Sequence, residues 1–383
     1  MGVRRAMFYG IIILSLLMIS IWWVFSAGPT TVSRILRYNF SDIDDARIFP
    51  RRSLSPAPRP FRFREQMKPE IAAIPVQAGR HTDVPLSSVL RNSETTAFLV
   101  IKDDIVRFDQ YDHGYDRATP SLSFSMAKSV LSLLVGCAFD DRLLRSIDQP
   151  VTELVPELNT KGFSSVTLRH LLQMTSGIDY AENDNPFGLH VRFYYTDHLE
   201  TEILKCELAE PPGRWFQYKS ADAFLLTLAL HRALGGRSIT EYMQDRVWTP
   251  MGMEHAGVWS LDHEPGGLEK TGCCLTATAR DFAKFGRLYL QKGQWDGQQI
   301  VSADWVSVST KPDASSGSAW DYQRMWWLVV KDRTDFLAGG HLGQFLYINP
   351  SANVVIVRLG KSREGLSRAD WAQLFVSLSE QLR

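Results

Sequence analysis

The chain has 383 residues, of which 45% are hydrophobic, so it can bury a large core in one complex domain or in two interleaved ones. Lysine and arginine together number 42, as do aspartate and glutamate, which gives a formal net charge of zero. The sequence has no block of basic residues of the kind that binds nucleic acid, so a nucleic-acid partner is disfavoured.

The N-terminus has the pattern of a membrane segment. Residues 8–27 form a stretch of 20 uncharged, mostly apolar residues with two adjacent tryptophans near its outer end, and such a stretch is long enough to span a bilayer. We predict that residues 1–27 are an uncleaved signal anchor, with a signal peptide cleaved after Ser26 as the alternative. Because Arg4 and Arg5 precede the span, we expect the rest of the chain outside the cytoplasm, at the periplasmic face of a bacterial inner membrane, or secreted after cleavage.

The next segment, residues 28–85, is rich in proline and arginine, which is typical of an extended arm or linker rather than a core element. A globular domain is predicted over residues 86–383. It begins with a β-hairpin in TAFLVIKDDIVRFDQY. Helices are expected around Ser125, in TLRHLLQM, in SADAFLLTLALHRAL and in TATARDFAKFGRLYLQKG, the last with Thr276 as its N-cap.

Strands return near the C-terminus, in RMWWLVV, TDFLAGG, GQFLYINP and ANVVIVRLG, and a helix in RADWAQLFVSLSEQL closes the chain. Strands at both ends and helices between them indicate an α+β fold. We expect one mixed, mainly antiparallel sheet flanked by helices, built from both ends of the domain, with a helical subdomain inserted.

Cysteine and metal chemistry are only weakly indicated. The four cysteines, Cys137, Cys206, Cys273 and Cys274, allow three pairings in an oxidising compartment, and the sequence does not choose among them. No C-x-x-C or H-E-x-x-H spacing is present, so we expect neither a metal nor another cofactor.

The most informative stretch is SFSMAKSV, which places Lys128 three residues after Ser125 on an otherwise apolar helix. At that spacing the two side chains share a helix face. No carboxylate stands at position 124 or 132 to pair with Lys128, so burial would lower its pKa toward that of a usable base. The pair is therefore a candidate nucleophile with its base, and a lysine that extends along the helix to solvent is the alternative.

A serine-lysine hydrolase also needs a second proton-transfer group and a strand that helps to bind the oxyanion. PPGRWFQYKSADAF places Tyr218 and Ser220 on a turn just before a helix. Two triplets compete for the strand: residues 270–272, Lys-Thr-Gly, which is the signature of penicillin-recognising enzymes, and residues 341–343, His-Leu-Gly. We favour the second, because it leads into a hairpin whereas a helix start follows the first.

Five ordered segments between residues 85 and 383 resemble the serine β-lactamase and penicillin-binding protein superfamily: SMAKS, TLRHLLQMTSGIDY, PPGRWFQYKS, TATARDFAKFGRLYLQKGQWDGQQIVS and GHLGQFLYINP. The resemblance is to the class C-like branch that contains 6-aminohexanoate-dimer hydrolases and related esterases. It implies a β-lactamase/transpeptidase-like fold and hydrolysis through an acyl-enzyme.

The resemblance also implies site residues. It assigns Ser125 as nucleophile, Lys128 as base and Tyr218 as proton shuttle. It implies an oxyanion hole from the backbone N–H groups of Ser125 and Gln344, and substrate contacts from Ser220, His341 and Gly343. Trp326 and Trp327 are adjacent on a predicted strand, so they point to opposite faces and at most one of them reaches the substrate; we expect this to be Trp327.

Two motifs depart from the usual pattern of that superfamily, since the second is Tyr-Lys-Ser and the third is His-Leu-Gly. An unperturbed histidine is mostly neutral at pH 7, whereas a lysine there is a permanent cation suited to a substrate carboxylate. We therefore expect a small ester or linear amide as substrate. A sensor or scaffold of the same fold with little turnover is the alternative function. A Ser-His-Asp triad through His341 or His170 is the alternative site, although Ser125 lacks the G-x-S-x-G turn.

Overall fold

The computed structural model describes residues 9, 27–38, 40–79, 81–313 and 315–382. Apart from Tyr9 and Ala27, the predicted membrane segment at residues 8–27 lies outside the described residues. Within the described ranges, no helix is both long enough and apolar enough to cross a membrane.

The described chain contains α-helices and β-strands in the following order. The helices are α1 (Pro29–Tyr38), α2 (Leu86–Asn92), α3 (Ala127–Asp140), α4 (Leu168–Leu172), α5 (Leu189–Tyr195), α6 (Leu199–Leu204), α7 (Ser220–Ala233), α8 (Ile239–Met243), α9 (Ala279–Leu290), α10 (Ala303–Ser309) and α11 (Arg368–Gln381). The strands are β1 (Arg51–Leu54), β2 (Arg64–Glu65), β3 (Pro75–Ala78), β4 (His81–Pro85), β5 (Thr95–Lys102), β6 (Ile105–Tyr111), β7 (Ser121–Leu122), β8 (Gly257–Ser260), β9 (Leu275–Ala277), β10 (Gln294–Trp295), β11 (Gln298–Gln299), β12 (Tyr322–Gln323), β13 (Trp326–Leu328), β14 (Phe336–Gly340), β15 (Gln344–Asn349) and β16 (Val354–Gly360).

The main sheet joins the two ends of the domain. Its eight strands follow the order β12-β13-β14-β15-β16-β5-β6-β2, so that β16 from the C-terminal part pairs with β5. Neighbouring strands are antiparallel except for β2 and β6, which are parallel. Most of the helices lie between β6 and β12 in the sequence. The predicted α+β fold, with its mixed sheet and inserted helices, is confirmed.

Helices cover both faces of this sheet. Side chains alternate along β5, so Phe98 and Val100 enter the hydrophobic cluster that contains α11, whereas Leu99 enters the larger cluster with α3 and α9. At Gly286 of α9 an added Cβ would lie 2.6 Å from Val355 Cγ1. This close approach fixes α9 against the sheet.

A second sheet, with the strand order β1-β8-β9-β7, anchors the segment that leads to Ser125. Strand β7 pairs with β9, and just beyond β7 the backbone N–H of Ser123 donates to the carbonyl oxygen of Leu275 at 2.8 Å. Ser125 therefore follows closely after a strand that is tied into a sheet.

Strand β9 corrects two expectations. It begins at Leu275, so a strand does follow the triplet at residues 270–272. The N-cap of α9 is Thr278, whose hydroxyl accepts from the N–H of Asp281, rather than Thr276, because Thr276 belongs to β9.

The segment predicted as an arm or linker, residues 28–85, packs on the domain. Leu54 and Phe63 are buried in the larger hydrophobic cluster and Val76 in the smaller one, while Phe49 packs with side chains of α1 and α5. Strand β1 pairs with β8, and β2 pairs with β6. The high content of proline and arginine favours the prediction of a linker. The apolar residues spaced along the segment nevertheless pack it onto the domain.

Candidate active site

A cavity of about 500 Å³ brings together five of the residues that the sequence singles out. These are Ser125, Tyr218, Ser220, Trp327 and His341. Their elements lie far apart in the sequence, so the cavity is a product of the tertiary fold.

Ser125 lies in a single 3-10 turn, Phe124–Met126, immediately before α3. The preceding residue, Phe124, has a φ angle of 44°. The backbone of a non-glycine residue is strained in the left-handed region, and such residues cluster at functional sites. The strained turn presents the Ser125 side chain to the cavity rather than to the core.

Lys128 is almost completely buried, with 1% of its surface exposed. Its Nζ donates to Ser125 Oγ at 2.8 Å, to Ser220 Oγ at 3.1 Å and to the carbonyl oxygen of Gly272 at 2.8 Å. An ammonium has three N–H donors, and all three have acceptors here. Two further groups thus hold the ammonium next to Ser125, and it does not extend to solvent.

Tyr218 and Trp327 form an aromatic wall of the cavity. Their rings stack with centroids 5.5 Å apart, and Lys128 Nζ lies 5.2 Å from the Tyr218 ring centroid. The neighbouring Trp326 points to the other face of β13, where its Nε1 donates to the hydroxyl of Tyr289. Only the second of the two adjacent tryptophans lines the cavity.

Glu182 is a site residue that sequence reasoning missed. Its carboxylate accepts two hydrogen bonds from Ser220, one from the backbone N–H and one from Oγ, both at 2.7 Å. His190 Nδ1 lies 3.5 Å from the same carboxylate and is hydrogen-bonded to the Tyr180 hydroxyl. Ser220 therefore links Lys128 to a carboxylate. Glu182 lies two residues after TSGIDY in a loop with several acidic residues, and no feature of the sequence distinguishes it from the others.

His341 lines the cavity next to Gly340 at the end of β14. Burial, together with the positive charge of Arg363, holds the pKa of His341 below its ordinary value of 6.5. The imidazole is therefore neutral at pH 7. It cannot replace the cationic lysine of a Lys-Thr-Gly motif.

Gln344 and Gly343 do not occupy the positions that the sequence predicts. The backbone N–H of Gln344 donates to the carbonyl oxygen of His341, so it is not available to an oxyanion. Gly343 is buried beside Arg358, whose guanidinium donates to its carbonyl oxygen at 2.7 Å. Neither residue lines the cavity. The left-handed turn at Leu342, with φ of 57°, directs the chain away from the cavity after His341.

Lys270, of the competing triplet, lies outside the cavity. Its Nζ donates to the carbonyl oxygens of Phe193 and Thr196, at 3.2 and 3.0 Å, and burial lowers its pKa to about 7. The preference for the His341 triplet agrees with this placement. Yet the Gly272 end of the competing triplet does reach the site, through the carbonyl that accepts from Lys128.

Two cysteines follow Gly272 directly. Cys273 lines the cavity and is joined to Cys274 by a disulfide. The other two cysteines, Cys137 and Cys206, are buried free thiols.

His170 has a structural role in α4. Its Nδ1 accepts from the backbone N–H of Thr167 at 3.1 Å, which completes a capping box with the Thr167 side chain. In the described part of the chain, no group of three or more His, Cys, Asp or Glu side chains is placed to hold a metal ion.

The fold and the sequence both have known relatives. The chain is 28% identical over 295 residues to the 6-aminohexanoate-dimer hydrolase of Paenarthrobacter ureafaciens, covering 72% of this chain and 74% of that protein. A solved structure of a putative 6-aminohexanoate-dimer hydrolase from Bacillus anthracis superposes with a TM-score of 0.78 at 21% identity, covering 87% of this chain and 91% of that one. A family VIII carboxylesterase gives a TM-score of 0.61 at 16% identity, covering 83% and 98%.

The family model described as Beta-lactamase matches residues 90–376, which is most of the chain. The predicted relationship and the predicted hydrolase fold are confirmed by this match. The chain belongs to the Beta-lactamase family and is a serine hydrolase of that fold.

Proposed function

We propose that the protein hydrolyses small esters or linear amides through an acyl-enzyme on Ser125. The contact that carries the proposal is the 2.8 Å hydrogen bond between Lys128 Nζ and Ser125 Oγ at the wall of the cavity. A nucleophile within hydrogen-bond reach of a base that is itself oriented by further groups is the arrangement that activates a serine. The names of the hydrolase and esterase relatives support the same reaction class.

In the acylation step, neutral Lys128 accepts the Ser125 proton as Oγ forms a bond to the substrate carbonyl carbon. The tetrahedral intermediate collapses when the bond to the leaving oxygen or nitrogen breaks, and that atom takes a proton from Tyr218, which regains one from the Lys128 ammonium. Water then attacks the acyl-enzyme and releases the acid by the reverse sequence of proton transfers. Stacking on Trp327 fixes the ring of Tyr218 for this role.

For the oxyanion hole we propose the backbone N–H groups of Ser125 and His341 in place of the predicted Gln344. His341 lines the cavity, and β14 lies directly against the nucleophile turn: a Cβ added at Gly340 would clash with the carbonyl oxygen of Ser123. Two N–H donors from these adjoining segments suit the charge that develops on the carbonyl oxygen.

Glu182 is proposed as a positioning residue. Its carboxylate accepts a hydrogen bond from the Ser220 hydroxyl. A lone pair of Ser220 Oγ therefore remains directed at Lys128. The carboxylate thus keeps Lys128 Nζ within reach of Ser125 when the lysine is neutral and when it is charged.

We propose that the N-terminal segment anchors the protein in a membrane with the domain outside the cytoplasm. The support is the apolar length of residues 8–27 together with the Cys273–Cys274 disulfide, since disulfides persist in oxidising compartments. The full-length chain should remain in the membrane pellet after alkaline carbonate extraction. Release into the supernatant would contradict the anchor.

The hydrolase proposal is tested by following p-nitrophenol release from a panel of p-nitrophenyl esters with the full-length protein. Wild type should complete many turnovers per molecule, and Lys128→Met should lower kcat by about 10²- to 10⁴-fold, the usual contribution of a general base. Release of a single equivalent without turnover would favour the sensor instead. Full activity in the Lys128 variant would contradict the assigned base.

A further inference from the structure

Two side chains just after the predicted membrane segment leave large apolar surfaces uncovered. Leu36 lies on α1 and Phe40 lies two residues beyond the end of that helix, and their surfaces are 76% and 71% exposed. Among the described residues, these are the two most exposed large hydrophobic side chains. The opposite face of α1 is fixed on the domain, because Val32 and Ile35 are buried in a cluster with side chains of α5. The packing of α1 therefore holds Leu36 outward.

Leu36 and Phe40 also lie close to the proposed membrane anchor. The apolar stretch ends at residue 27, and α1 begins at Pro29. An α-helix rises 1.5 Å per residue, so the ten residues of α1 extend over about 15 Å. With the short links on either side of the helix, Phe40 lies at most about 30 Å from the end of the stretch, and Leu36 lies closer. Both side chains are therefore within reach of the surface of a bilayer that contains the anchor.

The charges around these side chains favour an apolar contact with lipid over an electrostatic one. Arg37 is exposed on α1, whereas Asp42 and Asp44 are exposed just beyond Phe40. Arg34 turns inward and donates to the carbonyl oxygen of Tyr195 at 3.0 Å. The surface thus lacks the excess of basic residues that binds anionic lipids, and zwitterionic phospholipid is the partner that it fits.

The active-site cavity extends from Ser125 to this surface. Phe40 lines the cavity, as do Val191 and Tyr195 of α5 and Cys273. Val191 and Tyr195 also belong to the cluster that holds α1, so this wall of the cavity is shared with the base of α1. Aromatic and aliphatic side chains predominate there, and the exposed Phe40 lies where the wall meets solvent. Such a wall suits a hydrocarbon chain that enters past Phe40.

The chain that follows this wall belongs to the acyl part of the substrate. Tyr218, the proposed donor to the leaving group, stacks on Trp327 of β13 and so lies on a different wall. The leaving group is therefore assigned to the wall of Tyr218, and the acyl chain to the wall of α5.

We propose that Leu36 and Phe40 contact the surface of a phospholipid bilayer, and that the substrates are lipophilic esters or amides whose acyl chain enters the cavity from that bilayer. This rests on the proposed acyl-enzyme hydrolysis and on the proposed anchor. The contact is favourable because it removes two large apolar side chains from water.

Spin labelling tests the contact with the bilayer. A nitroxide is attached at Leu36→Cys in the full-length protein, reconstituted in phosphatidylcholine vesicles; the native free thiols, Cys137 and Cys206, are buried. Oxygen concentrates in the bilayer and a nickel chelate stays in water. The ratio of oxygen to nickel-chelate collisions should therefore be several-fold higher than for a label at Leu143→Cys, an exposed leucine outside the cavity.

Equal ratios at the two positions would overturn the bilayer contact. A label at Leu36→Cys that is shielded from both reagents would assign the surface to a protein partner or a second copy of the chain, and would overturn it as well.

Turnover in the same vesicles tests the source of the substrate. The measured quantity is the rate for p-nitrophenyl palmitate carried in the bilayer divided by the rate for p-nitrophenyl acetate in water. Leu36→Glu lies outside the cavity and should lower this ratio about tenfold, because a charged side chain opposes burial in the interface. The matched control, Leu143→Glu, should leave the ratio at its wild-type value.

An unchanged ratio in Leu36→Glu would overturn the entry of substrates from the bilayer and leave the hydrolase proposal standing. Absence of acetate turnover in wild type would instead count against the hydrolase proposal, and the spin-label ratio would still decide the bilayer contact.

Discussion

At the residue scale, the proposed chemistry depends on the hydrogen bonds of Lys128, which is almost completely buried. Lys128 has no carboxylate within ion-pair distance among the described residues, but a hydroxyl and a carbonyl accept from it in addition to Ser125. All three acceptors are uncharged oxygens. These hydrogen bonds hold Lys128 Nζ next to Ser125 Oγ, the position that the proposed proton transfer between them requires.

Glu182→Gln tests the positioning role. The N–H and the hydroxyl of Ser220 donate to different oxygens of the carboxylate, and in the amide one of these oxygens is replaced by an NH₂ donor. One of the two hydrogen bonds is therefore lost, and Ser220 loses its fixed orientation toward Lys128. We expect kcat for p-nitrophenyl ester hydrolysis to fall about tenfold with KM little changed, and a melting temperature close to that of wild type. Asp179→Asn, an exposed carboxylate of the same loop, is the control. A proportional rise in KM with unchanged kcat would assign Glu182 to substrate binding instead.

The residues of the site differ in how far the sequence reveals them. Ser125, Lys128 and Tyr218 stand in motifs whose spacing carries information. In the structure Ser125 and Tyr218 line one cavity, and the buried Lys128 contacts both of them. Glu182 has no such spacing, because its partner Ser220 is 38 residues away. The prediction that Gln344 donates to the oxyanion was wrong, because the sequence His-Leu-Gly does not indicate the left-handed turn at Leu342.

At the element scale, the site depends on the approach of β14 to the turn Phe124–Met126, which contains Ser125. The end of this strand has two glycines, and only at Gly340 would a Cβ meet the backbone of the turn, at the Ser123 carbonyl and at 3.2 Å from the Met126 nitrogen. The absence of a side chain lets the strand and the turn lie side by side. The proposed oxyanion hole, formed by the N–H groups of Ser125 and His341, depends on this arrangement.

Gly340→Ala should therefore damage both stability and activity. Overpacking against backbone costs about 1–3 kcal/mol of unfolding free energy, and the shift of β14 should also displace the oxyanion donors. Gly339→Ala is the matched control for stability, because its Cβ would make contacts of 3.4 Å or longer. Denaturant unfolding of both variants measures the difference. Equal stability of the two would show that β14 and the turn are not tightly fitted.

Elements were predictable where they are long and periodic. The hairpin β5–β6, the helices α3 and α7 and the C-terminal strands all follow apolar patterns of the expected period. Strand β9 and the strands of residues 28–85 have two to five residues each, too few to show alternation. Strands β1, β2 and β9 are defined by backbone pairing with strands distant in the sequence, rather than by local propensity.

At the scale of the whole molecule, stability should depend on pH through a buried carboxyl. Asp222 on α7 is fully buried, and its carboxylate accepts from the Ser176 hydroxyl. Burial raises the pKa of Asp222 to about 7. An unfolded aspartate has a pKa of about 3.9, so between these values the folded state binds more protons than the unfolded state. The free energy of unfolding should accordingly fall as pH rises from about 4 to 7.

Asp222→Asn should remove this dependence, because the amide does not titrate. Between pH 5 and 7 the wild type should lose on the order of 2 kcal/mol of unfolding free energy relative to the variant. Urea unfolding of both proteins at the two pH values gives the comparison, and other titrating groups cancel in the difference. Parallel pH profiles would show that Asp222 is ionised in the folded state at pH 5.

The most direct test of the central claim is intact-mass spectrometry of the full-length protein, quenched at short times after mixing with a p-nitrophenyl ester. The account predicts a transient mass increase equal to the acyl group, mapped to the peptide that contains Ser125 and absent in Ser125→Ala. Sustained ester turnover in Ser125→Ala, or an adduct on a different residue, would contradict the assignment of Ser125 as the nucleophile.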